Sequence, residues 1–172
     1  ENTLTHLPES GWSLFIHKLD RVLPEFLAMF NKFDFIPHWR KDDIMVSLSP
    51  VGASVGAHTD EYDVFLIQLF GKRSWKVGTQ RLDNPETRQE GDLKTLAGPF
   101  MGQTVDVGPG DMIYIPPKFA HHGISSSLSA TLSIGFRAPR IDQLADALSE
   151  GLAENLQKNS LLFYDQKRNV QE

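Results

Sequence analysis

The sequence predicts a mainly β fold: a double-sheet jelly roll, or double-stranded β-helix, with helices flanking it at both ends. Three observations carry this expectation. Short apolar or alternating segments recur between residues 43 and 136, with Gly- and Pro-rich turns between them. The stretches on either side, 11–30 and 141 onward, change to helical spacing. At 172 residues the chain is about one domain, long enough to bury a core without cross-links.

Taken in order, Gly11 to Phe30 places Trp12, Phe15, Leu19, Val22, Leu23, Phe26, Leu27 and Phe30 at helical intervals. Pro24 interrupts the pattern, so two short helices or one kinked helix are expected, with the aromatic stripe turned to the core. From Asp43 to Ser49, Ile44, Val46 and Leu48 alternate with Met45, Ser47 and Ser49, which reads as a strand. A small-residue turn, Val51 to Gly56, leads into His58. Val64 to Leu69 is apolar apart from Gln68, as in a strand covered on both faces. Gly71 breaks that strand and Ser74 to Val77 resumes one.

Residues 79–98 are polar and aperiodic, with Pro85 and several charges, and read as a surface excursion between two halves of the sheet. Thr104 to Val107 is the next strand, and Gly108-Pro109-Gly110-Asp111 is a turn. Met112 to Ile115 is a strand closed by Pro116-Pro117, and Ala130 to Phe136 alternates again. Beyond Pro139, Ile141, Leu144, Ala145, Leu148 and Leu152 share a helical face. The expected division is 1–140 for the barrel with its N-terminal helices, and 141–172 for the start of a helical region. Strands in this order with helices outside them fit a jelly roll of the cupin kind.

Composition narrows the chemistry. The chain has no cysteine, which excludes disulfides, thiolate zinc sites and iron–sulfur clusters and leaves His and carboxylate as metal ligands. A cytoplasmic setting fits that composition. No apolar run reaches the roughly 18 residues of a membrane helix, and no signal-peptide pattern opens the chain, so no membrane partner is expected. The net charge of −5 argues against direct nucleic-acid binding and suits a basic protein partner.

His58 and Asp60, with His121 far downstream, are the candidate metal ligands. In a strand, side chains two apart share a face, so His58 and Asp60 could grip one ion, with His121 arriving from a later strand. Two imidazoles and one carboxylate on one face of a metal leave the opposite positions open, the set used by non-heme Fe(II) oxygenases. His121 is preferred over its neighbour His122 because only one of an adjacent pair faces inward in extended chain, and His121 lies nearer the Pro116-Pro117 brace. His122 is then a rim or supporting residue. His6, His17 and His38 have no partner at ligand spacing.

Three longer stretches carry a resemblance. Val55-Gly-Ala-His-Thr-Asp-Glu-Tyr-Asp-Val-Phe-Leu-Ile-Gln-Leu-Phe-Gly-Lys-Arg-Ser-Trp75 resembles the catalytic core of JmjC-type cupin oxygenases. Gly110-Asp-Met-Ile-Tyr-Ile-Pro-Pro-Lys-Phe-Ala-His121 and Ser133-Ile-Gly-Phe-Arg-Ala-Pro139 resemble it too. Within that superfamily the chain is most similar to the bacterial ribosomal oxygenases of the YcfD-like group, from Gly11-Trp12-Ser13 to beyond Pro139. The resemblance implies an Fe(II)- and 2-oxoglutarate-dependent hydroxylase acting on an arginine of a large-subunit ribosomal protein, a basic substrate. It also implies a homodimer for full-length family members. Those proteins continue into a dimerisation region and a winged-helix domain, of which 141 onward resembles only the beginning. A catalytic-core fragment, or a shortened relative, is therefore expected.

The resemblance places the arginine that anchors 2-oxoglutarate at Arg73. A guanidinium suits that task, because its planar fork pairs both carboxylate oxygens and it stays charged in a dry pocket. Trp75 and Val77 alternate with Arg73 and would share its apolar side. Ser47 and Thr131 are candidate hydroxyl partners for the co-substrate. Tyr62 is a candidate wall for the substrate side chain, and Asp42 a candidate acceptor for a substrate guanidinium. Two other classes remain beside this reading. One is a cupin isomerase or hydrolase using Mn or Zn as a Lewis acid, though such sites usually show His-x-His and a following glutamate, where this chain has Asp60. The other is a metal-free cupin binding module.

Overall fold

The computed structural model describes residues 7–90 and 93–159. The chain divides into two units, Glu1–Arg137 and Ala138–Glu172. Among the described residues, the first unit holds ten strands. They are β1 Leu14–Ile16, β2 Lys41–Ser49, β3 Asp63–Phe70, β4 Arg73–Arg81, β5 Thr87–Glu90, β6 Leu93–Leu96, β7 Gly102–Val107, β8 Met112–Ile115, β9 Phe119–Ser125 and β10 Ser129–Phe136. One antiparallel sheet runs β1-β2-β10-β3-β8, a second runs β7-β4-β9, and β5 pairs with β6. The expected mainly β jelly roll is the observed fold, with helices before the barrel and after it.

The alternation in β2 and β10 separates two environments. Ile44 and Val46 of β2, with Leu132, Ile134 and Phe136 of β10, face a core shared with Leu19, Phe30, Phe33 and Ile36. Met45, Ser47 and Ser49 of β2, with Thr131, Ser133 and Gly135 of β10, face a cavity instead. β3 lies beside β10 and splits in the same way: Phe65 joins the helix-side core, while Val64 and Leu66 point inward. Inside the barrel they pack with Trp75, Val107 and Ile115. Burying both faces of β3 explains its nearly unbroken apolar run.

Two segments differ from expectation. The helical pattern holds only from Leu19: α1 spans Leu19–Val22 and α2 spans Pro24–Met29, with Pro24 opening the second helix where its missing N–H costs nothing. Leu14–Ile16 is instead an edge strand paired with β2, Phe15 opposite Ser47, so its backbone groups are satisfied by the sheet. Lys18, with φ 59°, makes the sharp change of direction into α1. The stripe is only partly core, since Leu19 and Phe30 are buried while Val22, Leu23 and Leu27 are exposed.

The second difference lies in 79–98. The structure extends β4 to Arg81 and pairs β5 antiparallel with β6, with Thr87 opposite Leu96. The solvent face of this pair hides the alternation, but Thr95 and Leu96 are buried. The Leu96 amide donates to the Ala57 carbonyl at 2.7 Å, tying β6 to the residue before His58.

In the second unit, α3 spans Ile141–Asn159, and Ile141, Leu144, Leu148, Leu152 and Leu156 are exposed. Among the described residues no helix is long and apolar enough to cross a membrane.

The helix-side core is centred on aromatic rings. Phe33 lies 4.8 Å from Phe65 and 5.5 Å from Phe136, and Phe30 lies 5.7 Å from Phe136, centroid to centroid. Phe136 is fully buried at the junction. Phe136→Ala is expected to cost about 3–5 kcal/mol through lost burial and the cavity left behind. Urea unfolding reads this as a lower midpoint with an unchanged slope.

Candidate metal centre

His58 is held by a bridge rather than by a regular strand. Its amide donates to the His121 carbonyl at 3.0 Å, and the His121 amide donates back to the His58 carbonyl at 2.9 Å. Asp60 lies beyond this bridge, outside any strand, which corrects the expectation that His58-Thr59-Asp60 is extended strand. What fixes Asp60 is a contact with the turn after Pro116-Pro117. There the Lys118 amide donates to the Asp60 carbonyl at 2.6 Å, with Lys118 in the left-handed region at φ 67°. The diproline brace therefore seats the carboxylate as well as steering the chain into β9.

The three side chains converge. The imidazole centroids of His58 and His121 are 4.2 Å apart, and His121 Nε2 is 3.5 Å from Asp60 Oδ2. One donor atom from each residue lies within 4.8 Å of the others. The backbone also selects the tautomer. His58 Nδ1 is 3.0 Å from the Gly56 carbonyl, and His121 Nδ1 is 3.1 Å from the Phe119 carbonyl. A carbonyl can only accept, so Nδ1 carries the proton in both rings and each Nε2 keeps a lone pair for an ion.

The electrostatics suit a cation. Burial, with the His58 charge adding to it, pushes His121 down to about 3, so its ring is neutral and able to ligate. Burial also raises Asp60, against the opposing pulls of His58 and a hydrogen bond from Tyr62. A divalent ion among two neutral imidazoles and one carboxylate would offset that desolvation. These residues fit a metal of the N,N,O type, and the absence of cysteine agrees. His122 points away from the three, opposite Lys76 in the sheet. His38 is exposed beside Asp34, and His6 lies outside the described residues.

A cavity of about 440 Å³ opens from this centre, and the β4–β9 register organises its wall. Val77 pairs with His121, Trp75 with Gly123, and Arg73 with Ser125, three successive rungs on the inward face. Trp75 stands between the ends: its ring is 5.6 Å from Arg73 Cζ and 6.1 Å from the His121 ring. Gly123 makes room for it, since a Cβ there would sit 2.7 Å from indole carbons.

Arg73 is only 6% exposed. Its Nη2 and Nε reach Ser125 Oγ at 3.0 and 3.3 Å, and its Nη1 reaches Ser47 Oγ at 3.4 Å. Among the described residues no carboxylate pairs with it. Desolvation draws its pKa down, but a guanidinium stays charged in proteins. A buried cation held only by hydroxyls is a receptor for an anion.

Ser47 and Thr131 both line the cavity. Ser47 accepts from Arg73 and donates to the Thr131 carbonyl at 3.4 Å. The Thr131 hydroxyl is committed to Gln68 Oε1 at 2.9 Å, which leaves its lone pairs rather than its proton for any further partner. Tyr62 and Asp42 are brought together at the cavity with Arg137, whose Nε is 3.3 Å from Asp42 and whose Cζ lies 5.6 Å from the Tyr62 ring. Burial, with the Asp60 charge second, raises the Tyr62 phenol well above its usual range, so it stays protonated.

Several residues that build or support the cavity are not evident from the sequence. Ser125 and Gly123 were readable in principle from the period-two series starting at His121, once β9 is recognised as a strand. Gln68 and Arg137 carry no such signal, because their roles depend on strands paired far along the chain. His17, left aside for lack of a ligand partner, lines the cavity with Nδ1 2.9 Å from Asp43.

Comparison with known proteins adds the family. The JmjC domain family model matches residues 28–144. A probable ribosomal oxygenase of Haemophilus influenzae is 41% identical over 154 residues, covering 88% of this chain and 37% of the relative. The ribosomal protein uL16 3-hydroxylase of Escherichia coli is 35% identical over 150 residues, covering 84% and 39%. A crystal structure of E. coli YcfD superposes with a TM-score of 0.81 at 34% identity, covering 100% of this chain and 45% of that one. The same protein in complex with cobalt and 2-oxoglutarate gives 0.76 at 32% identity, covering 100% and 44%. The chain thus spans about two fifths of the length of the curated relatives it matches. A jelly-roll barrel with a His-x-Asp…His cluster at its cavity, matched by the family model over 117 of 172 residues (28 to 144), places this chain in the JmjC domain family.

Proposed function

We propose that this chain is the catalytic domain of an Fe(II)- and 2-oxoglutarate-dependent oxygenase that hydroxylates an arginine of a basic ribosomal protein of the uL16 type. The observation that carries the reading is the pairing of two features on one strand ladder: the His58, Asp60 and His121 donors at one end, and the unpaired cation of Arg73 at the other. A co-substrate with a chelating end and a distant carboxylate suits that spacing. The relatives' names, and a YcfD complex holding cobalt with 2-oxoglutarate, support the same chemistry.

In this reading His58 Nε2, an Asp60 oxygen and His121 Nε2 hold the ion on one face. When bound, ferrous iron supplies the oxidation that turns 2-oxoglutarate and dioxygen into succinate and carbon dioxide, placing one oxygen atom on a carbon of the substrate. The protein's own work is orientation and exclusion of water. Arg73 grips the far carboxylate through its fork, Ser47 and Ser125 hold the guanidinium in plane, and Thr131, its proton given to Gln68, holds its place in the wall beside Ser47 rather than donating to the co-substrate. Trp75, Val64 and Leu66 keep the enclosed wall dry, which strengthens the Arg73 pairing. Tyr62 and Asp42 form an aromatic and acidic mouth suited to an arginine side chain, and the net charge of −5 favours a basic partner.

Three outcomes test this. Asp60→Ala is expected to weaken Mn(II) or Fe(II) binding by roughly 100-fold or more in anaerobic calorimetry, and to abolish succinate release. Arg73→Met keeps length but removes the fork, and is expected to raise KM for 2-oxoglutarate roughly 10- to 100-fold with metal affinity unchanged. Mass spectrometry of an arginine-containing uL16 peptide is expected to show the gain of one oxygen. An unshifted KM in Arg73→Met, or metal affinity unaffected by Asp60→Ala, would refute the assigned roles.

A further inference from the structure

We propose that Arg137 is a resident occupant of the guanidinium subsite, holding the Tyr62 ring and the Asp42 carboxylate until a substrate arginine displaces it. This rests on the arginine-hydroxylase reading above and adds to it a competitor inside the chain. Arg137 continues the inward series Thr131, Ser133, Gly135 and lines the same cavity as the metal centre. The Tyr62 ring lies against β10 at Gly135, where a Cβ would meet its carbons at 3.6 Å, an ordinary van der Waals contact. The Tyr62 ring thereby lies 5.6 Å from the Arg137 Cζ, with Asp42 Oδ2 3.3 Å from Nε. An aromatic face plus a carboxylate is the arrangement that recognises a guanidinium. Arg137 satisfies it from within.

The main chain and side chain of Arg137 are held differently. The carbonyls of Phe136 and Arg137 accept from Arg40 at 3.2 and 3.4 Å, and Phe136 is fully buried, so the backbone is anchored. The Arg137 side chain is 63% exposed and free to swing into water. An exposed ion pair of this kind shifts an equilibrium by at most about fivefold, and an exposed cation–ring contact by a similar factor. The subsite is therefore filled but weakly guarded. An arginine delivered with the rest of a protein substrate displaces Arg137. A lysine offers a point charge without the fork and competes less well. The apparent affinity is the intrinsic one reduced by the fraction of molecules with the subsite clear.

The test titrates the full chain, loaded with Mn(II) and 2-oxoglutarate, with Nα-acetyl-arginine methylamide. Arg137→Ala and Arg137→Gln are expected to bind this probe about two- to tenfold more tightly, with Arg137→Lys between them and the unsubstituted protein. In the unsubstituted protein, the Arg137 Nε–H signal in 15N spectra is expected to move from its ion-paired position toward that of free arginine as the probe saturates. Equal or weaker binding in Arg137→Ala, or a stationary Nε–H signal at saturation, overturns the placeholder while leaving the arginine reading intact. Failure of every form to bind the probe, with 2-oxoglutarate turnover still running, overturns the arginine reading and this proposal together.

Discussion

The two-bond bridge between His58 and His121 is the constraint on which the functional half of the molecule depends. It joins a loop that belongs to no strand to β9, an edge strand of the β7-β4-β9 sheet, and so brings together side chains 63 positions apart. Three other contacts converge on the same loop: the Leu96 amide on Ala57, the Lys118 amide on Asp60, and the carbonyl of Gly56 on the His58 ring. Each satisfies a backbone group while aiming a side chain. The metal donors are thus set by main-chain hydrogen bonding, which is stiffer than side-chain packing would be on a loop.

From that bridge the β4–β9 ladder measures out the rest of the cavity. Four residues along a strand is roughly 13 Å between the Val77–His121 and Arg73–Ser125 rungs. The long side chain of Arg73 and the flat indole of Trp75 divide that span. A slip of β4 by one residue would turn Arg73 and Trp75 outward together while His121 of β9 stayed in place, so the pairing is as necessary to the site as the residues themselves.

The sequence made the barrel legible because strands buried on one or both faces leave a period-two trace, as 43–49, 64–69 and 130–136 do. Of the three donors, His58 and Asp60 were legible from their local spacing after a small-residue turn, and His121 from its place behind Pro116-Pro117. What escaped was non-local or masked. Leu14–Ile16 happens to lie at helical intervals from Leu19 and Phe30, and only its pairing with β2 makes it a strand. The β5–β6 pair escaped because its solvent face is charged. Ser125 as the holder of Arg73, and Arg137 beside Tyr62 and Asp42, follow from long-range pairing that no window along the chain contains.

The division of β2 and β10 into a helix-facing side and a cavity-facing side has a further consequence. Ile44, Leu132, Ile134 and Phe136 support the scaffold from the outside, whereas Met45, Ser133, Gly135 and Arg137 contribute little to that aromatic cluster. Alternate positions on the same two strands are therefore exposed to different selective pressures. Drift on the inner side can retune what enters the barrel without endangering its assembly, and one scaffold can diversify its targets through neutral steps.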